Sequence, residues 1–388
     1  MFFTCSAQDH DHCTHGDGHD SEHDAHPMSD DAGLAIADSA AGVQPAAAAR
    51  RAPLRIDIHC HYQNVAVATM AAPLKPFEKE PSIIYANKAT RDVNIEQMKV
   101  RGPKLSDIAV RLADMDRMGI DIQAVSPAPA QYYYYAEPDF GLELARSIND
   151  RIAEIVAGHP DRFVGMGSVP LQHPKMAIKE MERCVNKLGM RGIEIGTNVN
   201  GIDLADKQLG LDKFFARAEE LGIVLFLHPM GFTNADRMTD YYFNNIIGNP
   251  LESTLAVGHL IFGGVLERYP KLKFCVAHGG GYVAHAFARM DHGWKLRPDA
   301  QTVIRKKPSS YLKKFYFDTV TFDANLLDAL VARFGAGHVM MGSDYPFDMG
   351  DENPRALIDS VARLTVAERD RIMGGNAARL LNIRAPKR

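Results

Sequence analysis

The chain reads RIDIHCH at residues 55–61, a short apolar run that ends in two histidines. Successive side chains of a β-strand point to opposite faces, so His59 and His61 are expected to project to the same side. A run of this kind is typical of a strand that is covered on both faces. We therefore interpret it as a buried strand carrying two imidazoles at its carboxyl end.

Seven further apolar runs follow, at residues 121–126, 162–169, 191–196, 223–228, 272–278, 315–319 and 338–344. Segments with helical periodicity separate them, and some of these end in a glycine, as at Gly119 and Gly158. Eight strand–helix units predict a (β/α)₈ barrel, the TIM-barrel fold. A doubly wound open sheet is the less favoured alternative, because no GxGxxG motif follows the first strand.

The chain is predicted to consist of a tail and a barrel that contains one insertion. Residues 1–51 are rich in histidine and aspartate and have few β-branched or aromatic side chains, so we expect a disordered tail. Its histidines suit loose binding of transition metals, although a solvated tail is the simpler interpretation. Residues 52–388 are predicted to form the barrel. Within them, residues 62–106 are expected to be an insertion at the catalytic face.

Composition excludes several classes of protein. The 388 residues are 46% hydrophobic and carry a formal net charge of −4, with no basic stripe that would indicate nucleic-acid binding. No apolar run reaches the roughly 18 residues of a membrane-spanning helix. The five cysteines form no CxxC pair, and the first residues do not resemble a signal peptide. We therefore expect a cytoplasmic protein with reduced thiols.

Four of the eight runs end in residues that can bind a metal, namely His59 with His61, His228, His278 and Asp344. A single histidine at a strand end is commonly structural. In a barrel, however, the carboxyl ends of all strands meet at one face, where active sites lie. Neutral imidazoles and one carboxylate suit a catalytic divalent ion, with zinc the first choice and manganese or cobalt as alternatives.

The motifs HxH (59–61), HPM (228–230), AHGGG (277–281) and GSDYPF (342–347) resemble, in this order, those of the aminocarboxymuconate-semialdehyde decarboxylase family of the amidohydrolase superfamily. The resemblance covers about residues 54–384. It implies four zinc ligands, which are His59, His61, His228 and Asp344. It also implies that His278 is the general acid/base beside the metal and not a ligand.

The same resemblance implies arginines that bind substrate carboxylates. Arg289 follows His278 by eleven residues and matches the arginine that, in this family, reaches the active site of the neighbouring subunit. A homodimer, or a dimer of dimers, is therefore expected. The alternative for Arg289 is a surface salt bridge. In the insertion, Arg101 is the candidate for the second arginine, and Lys99 is its rival.

These observations predict a metal-dependent, non-oxidative decarboxylase that acts on an unsaturated or aromatic carboxylic acid. A hydrolase or hydratase of an ester, lactone, amide or activated double bond remains the alternative, because the fold does not fix the reaction. The run Tyr132–Tyr135 is expected over the pocket mouth, either in a subunit interface or stacked on substrate. Asp318 and Asp323 are further pocket candidates, although loop carboxylates are usually solvated.

Overall fold

Eight parallel strands form the central sheet of the computed structural model, which describes residues 53–383. The strands are β1 (Ile56–Tyr62), β2 (Ile122–Pro127), β3 (Phe163–Gly167), β4 (Gly192–Gly196), β5 (Val224–His228), β6 (Lys273–Val276), β7 (Phe315–Asp318) and β8 (Val339–Met340). Their order in the sheet follows the chain. This order confirms the (β/α)₈ barrel. In a doubly wound sheet the first strand of the chain lies in the middle of the sheet, so the order of the strands does not follow the chain. The predicted tail, residues 1–51, lies outside the described residues.

The barrel closes where β1 meets residues 341–345, a contact that we call the seam. The two segments share one isolated bridge, between Cys60 and Tyr345, and no continuous ladder within the described residues. Four backbone hydrogen bonds span the seam: Ile58 N donates to Met341 O (2.9 Å), His61 N donates to Tyr345 O (2.8 Å), and both Ser343 N (3.3 Å) and Asp344 N (2.8 Å) donate to His59 O. Barrel closure therefore places the HxH motif directly beside Asp344.

Strand β1 contains one residue more than its partner β2 over the same length. Asp57 pairs with Gln123, but Cys60 pairs with Val125, so three steps along β1 match two along β2. Bulges of this kind redirect side chains and occur beside active sites. The irregular stretch includes His59, the first of the two predicted histidine ligands on β1.

Helices surround the strands and follow the predicted periodicity. Gly119, in the left-handed conformation, ends the helix that precedes β2, and Gly222 ends the one before β5. The helices are α1 (Val65–Met70), α2 (Pro81–Ile84), α3 (Lys88–Ser106), α4 (Ile108–Met118), α5 (Pro138–Gly158), α6 (Pro174–Asn186), α7 (Asp212–Leu221), α8 (Asn249–Phe262), α9 (Val265–Arg268), α10 (Val283–Leu296), α11 (Ser309–Leu312), α12 (Ala324–Phe334), α13 (Pro354–Ser360), α14 (Val366–Asp370) and α15 (Asn376–Leu380). Among the described residues, none of these helices combines the length and the apolar character needed to cross a membrane.

Apolar side chains fill the barrel below the predicted site. A buried cluster takes members from six of the eight strands, and Ile58, Met166 and Phe226 are completely buried in it. The Phe226 ring lies 5.1 Å from the His59 ring, measured between centroids. The His59 ring therefore packs against the apolar side chains that fill the barrel, and this packing limits its movement.

The predicted insertion after β1 contains α1, α2 and α3. Residues of α2 and α3, among them Ile83, Gln97 and Arg101, line the large cavity at the carboxyl ends of the strands. The insertion thus lies at the face of the barrel where active sites are found.

Candidate active site

The structure brings the predicted metal ligands and His278 together at the carboxyl ends of four strands. Ligand atoms of His59, His228, His278 and Asp344 all lie within 4.8 Å of one another. His61 belongs to the same group, because its Nε2 atom lies 3.0 Å from Nε2 of His59 and 3.3 Å from Oδ1 of Asp344. His278 is as near as the others, so its assignment as acid/base and not as a ligand stays a prediction.

Three of the histidines have their Nδ1 atoms turned toward oxygen atoms. These pairs are His59 with Asp318 (2.6 Å), His61 with Pro127 (3.1 Å) and His228 with Pro229 (2.6 Å). A carboxylate or carbonyl oxygen only accepts, so in the neutral rings each Nδ1 carries the hydrogen and each Nε2 keeps its lone pair. The three lone pairs are therefore available to one cation.

Charge at the site favours a cation between His59 and Asp344. Burial disfavours the charged ring of His59, but the carboxylates of Asp344 and Asp318 outweigh burial and raise the pKa of His59 well above its usual value. Burial likewise opposes ionisation of Asp344, yet His59 and the other imidazoles hold the pKa of Asp344 well below its usual value. Burial and the neighbouring rings lower the pKa of His228, which keeps it neutral.

Among the described residues, the buried atoms of the cluster that have no hydrogen-bond partner include Nε2 of His228 and Oδ1 of Asp344. Buried polar atoms without a partner are rare because they cost free energy. Imidazole nitrogens together with a carboxylate oxygen form the donor set that zinc and manganese accept. The residues present therefore fit a divalent metal ion.

Asp318, at the end of β7, is completely buried below this cluster. Its Oδ2 atom accepts from Nδ1 of His59 (2.6 Å) and from the backbone N–H of His278 (2.9 Å), while Oδ1 accepts from Gly279 N (2.7 Å) and Val320 N (3.1 Å). The sequence predicts Asp318 and Asp323 alike as pocket candidates, with a solvated loop carboxylate as the usual alternative. Asp318 instead holds two site residues from below.

Asp323 has a different place. It caps the amino end of α12, where its side chain accepts from the backbone N–H groups of Asn325 and Leu326. It is not among the residues that line the cavity. Its role is local, as expected of an N-cap aspartate.

Both His278 and Asp344 have left-handed backbone conformations, with φ values of 57° and 56°. Such conformations are unfavourable for residues other than glycine unless the surroundings enforce them. The turn after His278 needs its glycines, since a Cβ atom on Gly281 would lie 2.1 Å from the carbonyl oxygen of Pro250. The glycine turn thus determines the backbone path that follows His278.

A cavity of about 710 Å³ opens above the cluster and includes His228, His278 and Asp344 in its wall. Its lining is mainly apolar, with Met98, Met230, Ile246, Phe322 and Leu326 among the contributors. Pockets of this size and character accept small organic molecules. The arrangement places an apolar binding space directly over a cluster that fits a metal ion.

The two predicted arginines have different positions. Arg101 lines the cavity, and its Nη1 atom donates to the carbonyl oxygen of Pro346 (2.7 Å). Arg289 is exposed on α10, and it is not among the residues that line the cavity of its own chain. Within one chain, therefore, only Arg101 of the two is placed to meet a ligand.

The expectation for the run Tyr132–Tyr135 is wrong. Three of the four side chains are buried in the core, and none lines the cavity. The Tyr132 hydroxyl donates to Glu194 (2.5 Å), and the Tyr135 hydroxyl donates to Glu80 (2.5 Å). The hydroxyls of Tyr132 and Tyr135 thus find hydrogen-bond acceptors on buried glutamates, and the run lies in the core and not at the pocket mouth.

Comparisons with known proteins agree with this geometry. A family model described as Amidohydrolase matches residues 56–383. The 2-amino-3-carboxymuconate-6-semialdehyde decarboxylase of Dictyostelium discoideum is 39% identical over 278 residues, which are 71% of this chain and 77% of that protein.

Solved structures give the same fold. The 5-carboxyvanillate decarboxylase from Sphingomonas paucimobilis has a TM-score of 0.75 and 26% identity, covering 85% of this chain and 99% of its own. A dihydroxybenzoic acid decarboxylase from Polaromonas, with bound manganese and the inhibitor 2-nitroresorcinol, has a TM-score of 0.73 and 22% identity, covering 85% of this chain and 97% of its own. The resemblance drawn from the four motifs is confirmed: the chain belongs to the amidohydrolase family and is one of its metal-dependent, non-oxidative decarboxylases.

Proposed function

We propose that this decarboxylase releases carbon dioxide from an aromatic or unsaturated carboxylic acid at the cluster formed by His59, His61, His228, His278 and Asp344. The observation that carries the proposal is the position of this cluster at the wall of a largely apolar cavity of about 710 Å³. A conjugated, mainly apolar acid matches such a lining. The named relatives act on acids of this class.

Zinc is the metal we propose for the site, held by His59, His61, His228 and Asp344. When bound, a divalent ion supplies positive charge that orients substrate oxygens and stabilises the negative charge that develops as carbon dioxide leaves. Three nitrogen donors and one oxygen donor suit zinc. Manganese, which the Polaromonas structure contains, and cobalt are the alternatives that a metal analysis of the purified protein distinguishes.

Proton transfer is assigned to His278. Breaking the bond to the carboxylate leaves an electron pair on carbon, and that carbon must take up one proton. His278 lines the cavity, and its Nδ1 atom is buried without a hydrogen-bond partner among the described residues. Its Nε2 atom lies 3.5 Å from Oδ2 of Asp344. The position of the ring at the cavity wall, beside Asp344, supports its proposed role as the donor of a proton to the substrate carbon.

Carbon dioxide release tests the reaction directly. We expect gas and the decarboxylated product from at least one member of a panel of carboxylated muconates, dihydroxybenzoates and carboxyvanillate, and we expect no turnover by Asp344→Asn. Incorporation of ¹⁸O from water into the product without gas release would support the hydrolase or hydratase alternative and contradict the proposal.

Arg289 is proposed to bind a substrate carboxylate in the cavity of a partner subunit, with Arg101 contributing from the same chain. The exposed position of Arg289, outside its own cavity, is consistent with this role. The guanidinium group of Arg101 uses one donor for Pro346 and keeps others for an anion.

Mixed dimers test the role of Arg289. A dimer of one His278→Asn chain and one Arg289→Ala chain, isolated with two affinity tags, is expected to show about half of the wild-type activity, since one of its two sites is complete. Each parent homodimer should be nearly inactive. An inactive mixed dimer, or an active monomer in sedimentation, would contradict the proposal.

A further inference from the structure

Asp57 lies at the seam and is completely buried. Its carboxylate accepts four hydrogen bonds from two segments that carry site residues and from β2. Oδ1 accepts from His59 N (3.1 Å) and Ser343 N (3.0 Å), and Oδ2 accepts from Ser343 Oγ (2.6 Å) and Gln123 Nε2 (3.1 Å). Asp57 is not among the residues that line the cavity, so direct contact with substrate is not its role.

The contacts continue to a buried arginine. Oε1 of Gln123 accepts from Nη1 of Arg111 (3.0 Å), and this fixes the orientation of the amide, because a guanidinium only donates and a carboxylate only accepts. Arg111 is completely buried, and its guanidinium donates to the side-chain amide of Gln123 and to backbone carbonyl oxygens. We call Arg111, Gln123, Asp57 and Ser343 the Asp57 network.

Both ends of the Asp57 network contact backbone or side chains next to the predicted ligands. Arg111 donates through Nη2 to the carbonyl oxygen of His61, and its guanidinium lies 4.8 Å from the centre of the Tyr345 ring. At the other end, Ser343 Oγ also accepts from Tyr345 N (3.1 Å). The network therefore contains Ser343 and contacts Tyr345, which are the residues on either side of Asp344, and it contacts the backbone of both histidines of β1.

The seam is the place where such contacts are needed, since no continuous ladder joins β1 to residues 341–345. Asp344 there has a left-handed backbone, which local sequence alone does not enforce. A buried network of charged and polar groups is a costly way to gain stability alone, because apolar residues of similar volume often serve as well or better. The free-energy cost of the Asp57 network is explained by a role in fixing the relative positions of the residues that it contacts.

We propose that Asp57 and Ser343 are positioning residues of the metal centre, which set the place of Asp344 relative to His59 and His61. This inference rests on the proposed binding of a metal ion by these residues. It assigns a function to the aspartate of the RIDIHCH run that neither the strand pattern nor the cavity explains.

Metal affinity, measured by competition with a chromophoric chelator in the absence of substrate, tests the proposal. Ser343→Ala and Asp57→Asn are expected to bind zinc about 10–100-fold more weakly than the wild type, which is the usual effect of losing a contact behind a ligand. Ser343→Thr keeps the hydroxyl and should recover most of the affinity. The melting temperature of each metal-free variant is measured in parallel.

Asp121→Asn is the matched control. Asp121 accepts from the backbone N–H of Arg55 (2.8 Å) just before β1, at the end of the strand away from the site, and should leave zinc affinity unchanged. If Ser343→Ala binds zinc as tightly as the wild type, or if Asp121→Asn weakens binding equally, the proposal is overturned while the decarboxylase function stands. If the wild type itself binds no divalent metal, the proposed metal centre fails as well.

Discussion

His278→Asn is expected to lower kcat by about 10²–10⁴-fold, the usual contribution of a general acid or base, while the protein keeps its metal. Asparagine approximates the shape of the ring near the backbone and tolerates the left-handed conformation found at this position (φ 57°). It has no group that titrates, so the substrate carbon loses its proton donor. Single-turnover kinetics and metal analysis of the same preparation measure both quantities.

His285→Asn provides the control for this variant. His285 also lines the cavity, but it lies on α10 and does not belong to the group of ligand atoms around Asp344. Its replacement should change kcat far less than that of His278. A loss of metal from His278→Asn in proportion to the loss of activity would instead identify His278 as a ligand, contrary to the prediction.

Asp318→Asn is expected to weaken metal binding by about 10–100-fold and to lower kcat as well, because one carboxylate supports two site residues. Asp318 accepts four N–H donors, which include Nδ1 of His59 and the backbone N–H of His278. An amide group has one accepting oxygen, and its NH₂ group would face donors on the other side. His59 would then lose its tautomer or its orientation.

Asp323→Asn is a close control for Asp318→Asn, since asparagine caps helices as well as aspartate does. We expect wild-type metal affinity and activity from it. Titration calorimetry with zinc and steady-state kinetics compare the two variants. Equal metal affinities for Asp318→Asn and the wild type would contradict the role of Asp318 below the site.

Sequence reasoning reached the strands and the site histidines because both depend on local patterns. Apolar runs of strand length mark the barrel, and in a barrel the residues that follow such runs meet at one face. His228 and Asp344 are recognisable for that reason, although they are far apart in the chain. The order of the four motifs then identified the family.

Residues that act through distant partners were harder to recognise. Asp318 and Asp323 both lie near the end of the seventh run, and only the folded structure shows that Asp318 accepts from the turn at His278 whereas Asp323 caps a helix. Asp57 stands in a strand pattern, but Ser343, its main partner, lies 286 residues away. The four tyrosines suggest an aromatic surface because nothing near them in sequence shows that Glu194 and Glu80 accept from the hydroxyls of Tyr132 and Tyr135.

Closure of the barrel through the seam has a thermodynamic consequence. His59 and His61 lie on β1 and Asp344 lies in the segment that meets β1 at the seam. An ion bound by all three would therefore link the first strand of the barrel to the segment that follows the last. Any ligand that binds the folded chain and not the unfolded chain adds to its stability by mass action. We therefore expect that binding of the proposed ion also stabilises the closed barrel.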